Sequence, residues 1–252
     1  MRIVDSAQVA ALLDYPSLIA SLAEAFRAGC SAPLRHHHAI EMTGRPDAAL
    51  LLMPAWREGA YLGVKIVTVF PGNATAGKPT VAASYFLHDA RDGRPLALID
   101  GAALTARRTA AASVLAASYL AKAEASRLLI VGAGTIAGAL ARAYPTAFAL
   151  AEIAVWARDA GKAGAFAAAL RADGLAASPV RDLAPAVERA DIVSCATLAH
   201  EPLILGDWLR PGQHVDLVGG FTPRMREADN AAIAKARVFV DTFEGALAEA
   251  GD

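Results

Sequence analysis

The stretch RLLIVGAGTIAG, residues 127–138, decides the fold. Residues 128–131 are apolar on both faces, as expected of a strand covered on both sides by helices. The small residues that follow obey a GxGxxA pattern between that strand and a helix. Gly132 and Gly134 allow a tight turn and let the backbone approach a pyrophosphate, whose charge then sits at the helix N-terminus. Outward from this junction, short runs rich in Val and Ile recur at residues 153–157, 176–180, 191–196, 214–218 and 237–241. Helix-compatible segments such as 161–172 and 183–190 separate most of them. Six strands alternating with helices predict a doubly wound, dinucleotide-binding parallel sheet of the Rossmann kind. Pro145 falls inside the first crossover helix and should kink or split it.

The end of the second strand bears on which dinucleotide binds. Arg158 follows Gly134 by 24 residues, near the place where NAD enzymes carry an acid for the ribose 2′-OH. An arginine there suits a 2′-phosphate instead, while the adjacent Asp159 points back towards NAD. NADPH is therefore the expected preference, with NADH possible.

The first half reads differently. Residues 6–29 form an amphipathic helix pair, with Pro16 starting the second helix. Strand-like stretches follow at 50–54, 61–70, 81–89 and 96–99, with Asp92-Gly93 as a turn before the last. Tight connections between short strands predict an antiparallel sheet. An Ala-rich helix over about 104–122 leads into the first Rossmann strand. The expected class is α/β: a smaller α+β domain over 1–120, then a Rossmann domain over 121–252.

Composition excludes several classes. Of 252 residues, 55% are hydrophobic and 19% charged, and mean hydropathy is +0.36, which rules out a disordered chain. The longest uncharged apolar stretch, residues 128–141, is shorter than the ~18 residues a membrane span needs. Asp5 and Asp14 interrupt any signal-peptide core. Net charge is −1, so no global field favours nucleic acid or an anionic membrane. The two cysteines, Cys30 and Cys195, lie far apart; they suit a reducing compartment and neither a disulfide framework nor a thiolate metal site. A soluble, cytoplasmic protein is expected.

Three polar features stand out. Lys65, in GVKIVTV (63–69), shares a strand face with Val67 and Val69, and both faces of this strand are largely apolar. Such a lysine is either desolvated, with a depressed pKa useful in proton transfer, or an edge-strand lysine reaching water. Arg107 and Arg108 begin an otherwise Ala-rich helix and offer a bidentate grip for a carboxylate; periodicity does not say which of them turns inward. In RHHH (35–38), at most His36 and His38 share a face, and no further ligand stands at a recognisable spacing, so no metal is expected.

These residues carry a resemblance. The chain resembles the ornithine cyclodeaminase/μ-crystallin family over almost its whole length, in APLR (32–35), GVKIVTVFPGN (63–73), GKPTVAASYFLHD (77–89), LTARRTAAASVLAA (104–117), GAGTIAG (132–138) and VGGFTPRMREAD (218–229). The resemblance implies a Rossmann domain joined to a substrate and dimerisation domain, in a homodimer. It implies that Arg35, Lys65 and Arg108 surround a substrate carboxylate and imine, Arg108 being the arginine that matches. Thr80 matches a family threonine near the nicotinamide and substrate. Cofactor contacts are expected at Thr80, Gly132, Gly134, Thr135, Ile136, Arg158, Thr197, Val218 and Gly219.

Members include cyclodeaminases, alanine dehydrogenases, ketimine reductases and a thyroid-hormone-binding crystallin. Two departures bear on the choice among them. Phe221 stands where cyclodeaminases carry an acid/base aspartate, so any amine loss would need a substitute such as Glu227 or Asp229. The family also continues beyond Asp252, into a segment that completes the substrate domain. VGGFTPRMREAD and FVDTFEGALAEAGD look most like the Δ1-pyrroline-2-carboxylate reductase branch. The expectation is NAD(P)H-dependent reduction of a five- or six-membered cyclic imino acid to L-proline or L-pipecolate. A cyclodeaminase-type lyase and a μ-crystallin-like NADPH-dependent binding protein are the alternatives.

Overall fold

The computed structural model describes residues 1–252, leaving aside the side chains of Ala74 and Glu249. Contacts divide the chain into two units, Met1–Arg108 and Thr109–Asp252.

In the first unit, strand β1 (Arg2–Val4) leads into helices α1 (Ser6–Leu12) and α2 (Tyr15–Ala28). Asp5 caps α1 by accepting from the Gln8 N–H, and the Gln8 side chain accepts from the Asp5 N–H in return. Asp14 caps α2 by accepting from the Ser17 N–H, with Pro16 in the first turn. Two separate caps explain why this stretch forms two helices and not one. Strands β2 (His36–Ile40), β3 (Ala48–Arg57), β4 (Tyr61–Val69), β5 (Val81–Asp89) and β6 (Pro95–Asp100) then form an antiparallel meander. The sheet order is β1-β6-β5-β4-β3-β2, with β1 parallel to β6. Gly93, at φ +76°, makes the β5–β6 turn. Val4, Ala97, Ile99 and Leu87 pack with Val9, Leu13 and Ala103 into a small core beneath α1. Helix α3 (Gly101–Leu120) begins here and runs across the division between the units.

The second unit is built from β7 (Arg127–Val131), α4 (Thr135–Ala143), β8 (Glu152–Trp156), α5 (Ala160–Ala172), β9 (Ala177–Pro179), α6 (Leu183–Arg189), β10 (Ile192–Cys195), β11 (His214–Leu217), α7 (Asn230–Lys235) and α8 (Phe243–Glu249). All strand pairs are parallel, in the order β11-β10-β7-β8-β9. Leu128 to Val131 and Ile192 to Cys195 are buried throughout, as strands covered on both faces must be. At the edge of the core, the half-buried Asp216 accepts hydrogen bonds from the hydroxyls of Ser113, Tyr144 and Ser194 at 2.7–3.1 Å. Pro145 does split its helix: α4 ends at Ala143, and Tyr144–Thr146 continue as one 3₁₀ turn.

The expectation of six strands is corrected to five. Residues 237–241 form no strand, and Val238, Phe239 and Val240 are exposed. The Arg237 guanidinium sits over the Phe239 ring at 5.5 Å, so this ring packs against its own neighbour. β propensity is realised where a pleated surface and a cross-strand partner receive the side chains; these have neither. No single helix among the described residues is long and apolar enough to cross a membrane.

Candidate functional site

Lys65 lies near the middle of β4, directly across from Met53 of β3 and Tyr85 of β5. β4 is paired on both sides, so the edge-strand alternative does not hold. Burial lowers the Lys65 pKa to about 8, and the positive charges of Arg108 and Arg35 push in the same direction. Three cationic side chains from three separate segments of the first unit therefore share one neighbourhood: mid-β4, the residue before β2, and α3. Like charges gathered this way favour an anion between them and favour release of the lysine proton near neutral pH.

The structure also separates the two adjacent arginines. The Arg107 guanidinium donates to the Leu13 carbonyl at 2.6 Å, closing the C-terminal end of α1, and stacks over the Tyr15 ring at 4.9 Å. Arg108, one position on along α3, is the arginine felt by Lys65. Thr80 precedes β5, its carbonyl accepting from the Phe70 N–H at 2.7 Å.

In the second unit, the glycine turn lies at the switch point of the sheet, where β7 has β8 on one side and β10 on the other. Gly132 has φ +124°, and a Cβ there would come within 2.6 Å of the Ala196 carbonyl at the end of β10. Only glycine satisfies both demands. Gly134 is the N-cap of α4 and has no side-chain capping bond, and a Cβ on it would meet nothing within 4 Å. With Thr135 exposed and Ile136 half-buried beside it, the first turn of α4 offers amide donors to an anion. This geometry fits a dinucleotide pyrophosphate. Arg158 is exposed just past β8, while Asp159 caps α5 by accepting from the Lys162 N–H at 3.1 Å. The acid that pointed towards NAD thus has a structural task.

Thr197 follows β10, and Val218 and Gly219 follow β11. Both loops are tied by Glu227, which is 1% exposed. One carboxylate oxygen accepts from the Thr197 N–H and hydroxyl, and the other from the Gly219 N–H, each at 2.7 Å. Sequence reading named Glu227 as a substitute acid and missed this role. The available signal was a single acid between Met225 and Ala228, both buried. Phe221, by contrast, is 54% exposed just beyond Gly219-Gly220.

A model of the ornithine cyclodeaminase/mu-crystallin family matches residues 2–252. The chain belongs to that family. Among its members, the Delta(1)-pyrroline-2-carboxylate reductase of Paracoccus denitrificans is 44% identical over 232 residues, covering 91% of this chain and 72% of that protein. The structure of Thermococcus litoralis Delta(1)-pyrroline-2-carboxylate reductase in complex with NADH and L-proline matches with a TM-score of 0.91 at 33% identity, covering 100% of this chain and 79% of that one. An archaeal alanine dehydrogenase dimer with bound NAD matches with a TM-score of 0.86 at 29% identity, covering 98% and 76%. The α/β fold with its Rossmann-type sheet is common to this group.

Proposed function

We propose that the chain is a nicotinamide-dependent reductase of a cyclic imino acid, Δ1-pyrroline-2-carboxylate or its six-membered homologue, giving L-proline or L-pipecolate. The observation that carries this is the Lys65 amine, half-buried on an interior strand with Arg35 and Arg108 beside it. Names of relatives 33–44% identical point to the same substrate class. Arg35 and Arg108 bind the carboxylate and so fix the orientation of the C=N bond, a positioning contribution. Lys65, or a water it orders, delivers a proton to the imine nitrogen. A protonated imine accepts hydride far better than a neutral one. Reduced nicotinamide, when bound, supplies that hydride. Residues 1–120 serve as the substrate and dimerisation domain and residues 121–252 as the nucleotide domain, in a cytoplasmic homodimer. Thr80, Gly132, Gly134, Thr135, Ile136, Arg158, Thr197, Val218 and Gly219 line the cofactor. The deciding experiment is NADPH and NADH oxidation with proline-forming, pipecolate-forming and acyclic imino acids. Failure to oxidise either cofactor with any cyclic imine would refute the proposal.

Two predictions test individual residues. Arg108→Ala should lower kcat/KM for the imino acid by about 2 kcal/mol, roughly 30-fold, the lower end for a charged contact because Arg108 is exposed in the free chain. Arg107→Ala should instead lower Tm, since it removes a helix-closing bond and a ring contact, with little change in KM. Similar kinetics for both variants would remove Arg108 from the site.

NADPH should be preferred to NADH. Arg158→Ala should raise KM for NADPH about tenfold, one exposed charge contact with the 2′-phosphate being worth roughly 1–1.5 kcal/mol, and leave KM for NADH nearly unchanged. Equal losses for the two cofactors would show that Arg158 does not discriminate.

A further inference from the structure

We infer that Glu227 is a positioning residue for the nicotinamide half of the cofactor, latching the loop after β10 to the loop after β11; this rests on the nucleotide-binding reading above. A doubly wound sheet is two mononucleotide halves. The half containing β7, β8 and β9 carries the glycine turn and Arg158, so it takes the adenosine and pyrophosphate. The half containing β10 and β11 is left for the nicotinamide nucleoside, beyond the carboxyl ends of its strands.

Those ends are where Glu227 acts. Its two oxygens accept three hydrogen bonds of 2.7 Å, two from Thr197 and one from Gly219. The surrounding backbone is stitched as well. The Arg226 N–H donates to the Ala199 carbonyl, and the N–H groups of Leu203 and Ile204 donate to the Glu227 carbonyl. The two loops approach so closely that a Cβ on Gly219 would fall 2.1 Å from the Thr197 carbonyl and 2.6 Å from a Glu227 oxygen.

A merely space-filling role fits poorly. Burial pushes the Glu227 carboxyl up, against the pull of its Thr197 and Gly219 donors, and an apolar residue of similar volume would fill the site without that cost. What a carboxylate provides, and an apolar side chain does not, is two acceptor oxygens aimed at two different loops. Glutamine keeps the shape but turns one oxygen into an N–H₂ donor. Whichever way it is placed, a donor then faces a donor, at Gly219 or at Thr197.

The test is calorimetric binding by the full chain, wild type and Glu227→Gln, of NADH against ADP-ribose and of NADPH against 2′-phospho-ADP-ribose. Each second ligand lacks the nicotinamide. Glu227→Gln should weaken the intact dinucleotides at least tenfold and change the nicotinamide-free ligands less than twofold. Glu227→Asp keeps both acceptor oxygens but draws them back by one methylene, and should show the same selectivity at about threefold, which keeps the test valid if the glutamine variant does not fold. Equal weakening of both ligand types, or no weakening, overturns the latch. Wild-type protein that binds none of the four ligands overturns the nucleotide reading and the latch together, a result distinct from either.

Discussion

Lys65→Met is expected to lower kcat/KM for Δ1-pyrroline-2-carboxylate by about 10²–10⁴-fold, the usual contribution of a positioned proton donor. The wild-type profile should fall above pH about 8, where Lys65 loses its proton. The sign follows from the depressed pKa. A donor is useful while protonated, so activity is retained below the folded-state pKa and lost above it. An unshifted lysine would keep its proton to about 10.5. Methionine is unbranched and only one heavy atom shorter than lysine, so the fold should persist, with Tm unchanged or raised once a cation beside two arginines is gone. Titration of the imine itself also shapes such profiles, and the variant separates the two: a limb that survives in Lys65→Met belongs to the substrate. A wild-type rate in the variant would sink the role assigned to Lys65.

How much of this was legible depended on whether a signal was local. The glycine turn, its preceding strand and the proline break at Pro145 depend on a few adjacent residues, and the structure has them where the pattern puts them. Residues 237–241 carry as good a strand pattern as any in the second half. Pairing is decided by a partner and a covering layer, which no local pattern records. Lys65 was ambiguous for the same reason, because whether β4 lies inside its sheet or at its edge is a property of the topology. Arg107 and Arg108 are neighbours in sequence, and only the position of Leu13 and Tyr15 reveals that the first serves α1. Asp159 looked like a cofactor ligand until its capping bond to Lys162 gave it another task. Glu227 was the least legible. Its partners lie 30 and 8 residues away along the chain.

Incubation with L-ornithine and catalytic NAD is expected to release no ammonia, while Δ1-pyrroline-2-carboxylate consumes reduced cofactor stoichiometrically. Losing ammonia needs a base for the attacking amine and an acid for the leaving one, each contributing about 10²–10⁴-fold. Reducing a preformed cyclic imine needs hydride, one proton and a carboxylate grip. The position after the β11 glycines holds Phe221, which presents an exposed ring and no titratable group. Three nearby acids are each held by backbone donors, and one of them, Asp252, which approaches Gly220, accepts from the N–H groups of Glu227 and Ala228 at 2.7 and 2.8 Å. Glu227 is 1% exposed, with each oxygen accepting from Thr197 or Gly219. Asp229 caps α7, accepting from the N–H groups of Ala232 at 2.7 Å and Gly206 at 2.9 Å, and those bonds hold its pKa below the usual carboxylate value. Taking up a proton would cost each of them acceptor capacity that these bonds use. Ammonia release at a rate comparable to imine reduction would overturn the reductase assignment. Phe221→Asp then becomes the converse test: it restores a carboxylate at this position without touching Lys65, Arg35 or Arg108, and any ammonia it releases measures how much of the lyase reaction that single group supplies.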